Sequence, residues 1–162
     1  MNKWTYGIIL AASLTIHLPA QAEVFQFTSV LNGANQTGLG DLDGTGIAML
    51  SIDSATNTID WSIEVNNIVL PLTGAHIHTG AAGVSGSVLV NFSGQLTGAG
   101  LVDADLAAVL ANPGNFYVNL HNADFALGAI RGQITPVPEP AAVGMMLAGL
   151  GLVGWRLRGR RT

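Results

Sequence analysis

Residues 24–31 (VFQFTSVL) alternate apolar and polar positions, the period-two signature of a strand with one buried face. Two more alternating runs, 47–52 and 58–65, flank the turn formers of 53–57 and predict a hairpin. In its second arm Ile59, Trp61, Ile63 and Val65 share one face and Asp60, Ser62 and Glu64 the other, as in a half-buried antiparallel strand. The β pattern continues through 68–72 and 75–78, across Pro71 and Gly74, and returns at 87–92, where Val88, Val90 and Phe92 align. Residues 116–121 and 129–134 read as the last two strands, 32–46 as a loop and 95–100 as a turn. Helical spacing occurs inside this region only at 103–110 (DADLAAVL). There Asp103 is placed to cap, Leu106, Val109 and Leu110 form the buried stripe, and Asn112-Pro113-Gly114 is the stop. Short strands, Gly-rich turns and one short helix predict an all-β fold, an antiparallel sandwich or barrel.

The two ends follow a different logic. Lys3, the apolar run 6–16 and Ala20-Gln21-Ala22 have the layout of a signal peptide, with cleavage expected after Ala22. Residues 141–155 are apolar but short of the ~20 residues that span a bilayer, so they predict a marginal hydrophobic helix. Arg156, Arg158, Arg160 and Arg161 follow, which would hold that end in the cytoplasm and leave the domain outside. Pro138-Glu139-Pro140, the apolar run and the arginines, in this order, resemble a PEP-CTERM sorting tail. That resemblance implies recognition by a membrane protease of the exosortase type. It also implies a transient inner-membrane anchor and release to the cell surface or matrix. The organisation expected is a signal peptide (1–22), a domain (23–135) and a sorting or anchor segment (136–162).

Removing the ends changes the charge picture. Between Glu23 and Pro136 nine acidic residues face one basic residue, Arg131, a net charge of −8 where the whole chain has −4. Such a surface repels phosphate backbones and disfavours nucleic acid, whereas cations or basic partners are compatible. Cysteine is absent, so an exported domain must be held by its core rather than by disulfides.

The chemistry-bearing residues are few. His76 and His78 stand at i and i+2 of one strand, so they point to the same face about 6.6–6.8 Å apart along it. His121 ends the penultimate strand and reaches that face if the two strands pair. Neutral imidazoles suit copper or zinc. The competing reading makes these histidines turn-fixing hydrogen-bonding residues at a strand end. Arg131, flanked by apolar residues, needs a partner, and Glu64 and Asp124 are the carboxylates to test. It acts as an internal tie, or it positions an anion beside the histidines. Asp41-x-Asp43-Gly opens like a calcium loop, but Ile52 stands where an EF-hand needs its bidentate Glu. No nucleophile–base pair or nucleotide-binding loop is present, and no catalysis is expected.

Three segments carry a family resemblance: His76-Ile77-His78-x-Gly80, Tyr117-Val118-Asn119-x-His121 and Gly128-x-Ile130-Arg131-Gly132. Together they resemble the CHRD domain, over about residues 24–135. The resemblance implies an immunoglobulin-like β-sandwich or barrel with a weak likeness to copper/zinc superoxide dismutases. By that likeness His76, His78 and His121 correspond to copper ligands and Arg131 to the arginine beside the copper. A bridging fourth histidine, a zinc-ligand cluster and a cysteine pair are all missing. The expectation is an exported binding or structural module with an unknown surface or matrix partner. The alternative is a dismutase-like copper or zinc site serving sequestration or redox chemistry.

Overall fold

The computed structural model describes residues 23–138, 147–150, 156 and 158. Among them run nine strands: β1 (Val24–Asn32), β2 (Thr45–Asp53), β3 (Thr58–Asn66), β4 (Gly74–Thr79), β5 (Val88–Asn91), β6 (Thr97–Val102), β7 (Phe116–His121), β8 (Ile130–Gln133) and β9 (Thr135–Pro136). One helix, α1 (Leu106–Ala111), lies between β6 and β7. All strand pairs are antiparallel, in the order β5-β4-β7-β8-β1-β2-β3-β6, with β9 added to β1. The all-β antiparallel architecture expected from the alternation is therefore observed. It takes the form of one sheet curled into a half barrel.

The alternation explains the curl. Phe27, Leu31, Leu50, Ile52, Ile59 and Ile63 come from β1–β3, and Ile77, Val118, Leu120 and Ile130 from β4, β7 and β8; all are buried in one core. Each apolar side chain so removed from water contributes about 1.5–3 kcal/mol, which stands in for the missing disulfides. The sheet folds back far enough for Trp61 on β3 to stack on Phe92, just beyond β5, with ring centroids 4.4 Å apart. Leu106 and Val109 of α1 are fully buried, and Leu110 packs at the margin of the core.

Three local expectations are corrected. The turn expected at 95–100 lies earlier, at Ser93 and Gly94, and residues 97–100 already belong to β6, because Thr97–Val102 pairs with β3 through a register shift between Ile59 and Trp61. Residues 68–72, expected as β, are irregular: Asn67 sits at φ 55°, and Pro71 has no N–H for a ladder. Asp103 does not cap α1 itself. Its carboxylate accepts the Asp105 N–H (2.9 Å) in a tight turn ahead of the helix, and Asp105 occupies the cap position without a side-chain bond.

The signal-peptide segment with its cleavage after Ala22, and Glu139 and Pro140 of the sorting tail, lie outside the described residues. Pro138 is described and exposed, and residues 147–150 are helical. Among the described residues no helix is long and apolar enough to cross a membrane.

Candidate metal centre

β4 and β7 are neighbours, and their register places Gly74 opposite His121, His76 opposite Asn119 and His78 opposite Tyr117. His121 thus lies diagonally across from His76, on the face that His76 and His78 share. The pairing that the spacing required is present. Ring centroids lie 5.4 Å apart for His76–His78, 5.1 Å for His76–His121 and 5.8 Å for His78–His121. One nitrogen from each residue falls within 4.8 Å of the others. Two nitrogens on one ion at about 2.1 Å can be at most about 4.2 Å apart, so small ring motions would complete a site.

The room for this triad comes from Gly74. A Cβ built there would stand 2.7 Å from His76 Cε1 and 3.3 Å from His121 Cδ2, so any side chain would push the rings apart.

Hydrogen bonds settle two of the tautomers. His78 Nδ1 lies 3.1 Å from the Gly86 carbonyl, and His121 Nδ1 lies 3.1 Å from the Ala126 carbonyl. A carbonyl can only accept, so each Nδ1 carries the proton and each Nε2 keeps its lone pair. His76 Nδ1, His78 Nε2 and His121 Nε2 are all buried without a hydrogen-bond partner. Three buried imidazole nitrogens left without partners in one cluster is a costly arrangement unless something satisfies them. The backbone carbonyls behind two of the rings are the outer-sphere orientation that metal-binding histidines use.

Burial keeps the rings neutral. The His76 imidazolium is disfavoured by desolvation and then by His121 and His78, lowering its pKa to about 4. Desolvation also lowers His78 and His121, opposed in each by the carbonyl bond at Nδ1. Neutral rings are the ligand form, so the lone pairs are available at physiological pH.

Arg131 is only 2% exposed, yet it pairs with neither Glu64 nor Asp124. Its Nη2 donates to the Ala81 and Val84 carbonyls, each at 2.9 Å, tying β8 to the glycine-rich loop after β4. The guanidinium lies 3.4 Å over the Tyr117 ring centroid, and Tyr117 in turn stacks on His78 at 5.1 Å and 12°. Tyr117 therefore stands between Arg131 and the histidines.

Asp41 and Asp43 lie in the loop entering β2. Asp41 is buried, and its carboxyl is pushed up by desolvation and by Asp43 beside it, which makes it a poorer cation ligand. The histidine triad is the one group of three or more converging His, Asp or Glu ligands among the described residues. Gly74, Gly86, Ala126 and Tyr117 shape the triad, a role that the sequence did not assign to them. Gly74 and Gly86 stood within the glycine-bearing stretch around His76 and His78 and Tyr117 within a noted motif, but none of them had a role there, and a carbonyl acceptor has no sequence signature at all.

Fold and site together define an antiparallel β module with a three-histidine cluster on adjacent strands. The chain belongs to the CHRD domain family, whose model matches residues 27–134. A PEP-CTERM protein-sorting motif matches residues 136–161. Motifs of this kind are generally processed by exosortase, and they imply export, processing at the membrane and a surface or extracellular destination. No curated protein and no solved structure matches the chain significantly, copper/zinc dismutases included.

Proposed function

We propose that the domain is a non-catalytic surface module that holds one copper or zinc ion on His76, His78 and His121. The observation that carries this reading is the cluster itself: each of the three histidines offers a ring nitrogen within 4.8 Å of the others, and each has a buried ring nitrogen without a hydrogen-bond partner. Imidazole suits both metals, and the acidic surface concentrates cations near it. Export places the site where metal would be sequestered or presented to a matrix partner. The signal peptide 1–22 and a membrane-anchored intermediate belong to the same proposal.

Two features favour sequestration over redox catalysis. Arg131, the domain's one basic residue, is spent on loop carbonyls instead of facing the triad. The net charge of −8 opposes entry of an anion such as superoxide.

The test is the metal content of the untagged protein by mass spectrometry, with copper and zinc offered in turn. About one tightly held ion per chain, lost in His78→Ala, is the expected result. An empty protein, unchanged in stability by that substitution, would reduce the histidines to turn-fixing residues. Superoxide turnover by the loaded protein would overturn the non-catalytic half of the reading.

A further inference from the structure

The loop between β4 and β5 connects two features that the metal reading leaves separate. Gly86, within it, touches the site twice: its carbonyl faces His78 Nδ1, and its N–H donates to the Tyr117 hydroxyl at 3.2 Å. Gly86 has no space for a side chain, because a Cβ would run into the Thr79 carbonyl of β4. The loop backbone is thus pressed against the strand that carries the ligands. Its other end turns through Gly80 (φ 141°) and Gly83 (φ 76°), conformations that a side chain would strain. Arg131 takes hold there, at Ala81 and Val84.

Arg131 reaches His78 by a second route. The sheet order puts β7 between β4 and β8, so His78 and Arg131 approach Tyr117 from opposite sides. One guanidinium therefore fixes both neighbours of the His78 ring, the stacked tyrosine and the carbonyl that sets its tautomer. A buried arginine held by two carbonyls and an aromatic face is expensive, since no carboxylate offsets its desolvation.

We infer that Arg131 is a positioning residue for the metal site, holding the 80–87 loop so that Gly86 keeps the His78 Nε2 lone pair directed at the ion. This rests on the metal reading of the triad. Arg131 touches neither the ion nor its ligands. It acts through Gly86 and Tyr117. Loss of a group bonded directly to a ligand typically weakens metal binding 10- to 100-fold, and Arg131 would exert its effect by displacing one such group, the Gly86 carbonyl.

The experiment compares the untagged protein with Arg131→Met, which keeps the length and loses every donor. Zinc affinity is measured by chelator competition, and the tautomers of His78 and His121 by long-range proton–nitrogen NMR of the metal-free protein. The expected result is a 10- to 100-fold weaker affinity, with His78 shifting toward a tautomer mixture while His121, bonded to Ala126, does not. A purely structural arginine would disturb both rings or neither. A folded Arg131→Met protein with wild-type zinc affinity and an unchanged His78 tautomer would overturn the inference. Should that variant fail to fold, Arg131→Lys keeps the charge but loses the paired donors and the flat stack; the same two readouts decide it. A wild-type protein without zinc affinity would sink the metal reading. The tautomer comparison would still judge the link from Arg131 to His78.

Discussion

Gly74 faces His121 directly across the β4–β7 pair, and the side chain it lacks is the space in which the His121 ring comes within 5.1 Å of His76. Restoring a methyl group there tests the site with limited damage to the fold. In Gly74→Ala the new atom meets ring edges rather than backbone. The metal-free protein should lose about 1–3 kcal/mol, the usual cost of overpacking by one methyl group. Zinc affinity should fall at least about tenfold, as the rings are displaced from a common point. Urea unfolding and chelator competition measure the two effects separately.

Removing a ligand should abolish the stabilisation that metal provides. At a free zinc concentration of about one hundred times Kd, binding adds about 2.7 kcal/mol to the unfolding free energy. The wild-type melting temperature should rise accordingly, and His121→Ala should show no rise. Differential scanning calorimetry with and without zinc checks this. An undiminished rise in the variant would place the ion elsewhere.

Acid should destabilise the metal-free domain over a defined window. His76 has a folded pKa of about 4 against an unfolded value near 6.5, and His78 and His121 are lowered as well. Between these limits the unfolded chain binds protons that the folded one refuses, so stability rises with pH there. The contribution is present above about pH 6.5 and is lost progressively as pH falls toward about 4. Urea midpoints should therefore decline across that range. The triple substitution of His76, His78 and His121 by Gln should decline less over the same range. Equal slopes in the two proteins would contradict the burial argument.

Gly98 offers a test of the fold away from the site. Trp61 lies across it, stacked on Phe92 and donating its indole N–H to the Gln95 carbonyl at 3.0 Å. A methyl group in Gly98→Ala collides with the indole, so the ring must lift. The expected cost is about 1–3 kcal/mol, with a red shift of Trp61 emission. Unchanged fluorescence and stability would show that the indole has another resting place.

The sequence carried the strands whose faces differ most and lost those defined by their partners. β1 and β3 are legible because burial on one side imposes a period of two, and β7 because its apolar and polar residues alternate although both of its faces are buried. β6 was not, since TGAGLV has two glycines and little alternation; it is a strand because β3 offers it hydrogen bonds and Trp61 needs an unobstructed backbone beneath it. Residues 68–72 had the converse problem, with apolar content but a proline and a left-handed Asn67 that prevent pairing. The triad was visible as spacing, since His76 and His78 must share a face whatever the topology. The Gly86 and Ala126 carbonyls behind two of its rings belong to the backbone, which every residue has. Arg131 misled for a related reason: a search among carboxylates could not find carbonyls.

β9 has a consequence for any enzyme that would act on the sorting motif. Its residues Thr135 and Pro136 pair with Thr28 and Phe27, and the Val137 N–H still donates to the Gln26 carbonyl at 2.9 Å. Pro138 follows at once, so the sorting tripeptide begins one residue beyond the last rung of the sheet. Two residues of extended chain span only about 7 Å. There is no stalk to hold the folded body away from a protease working at Pro138-Glu139-Pro140. An exosortase-type enzyme acting there would have to accept the rim of a β-sheet at its entrance, or peel β9 off first, so the domain's outer edge would be part of what it handles.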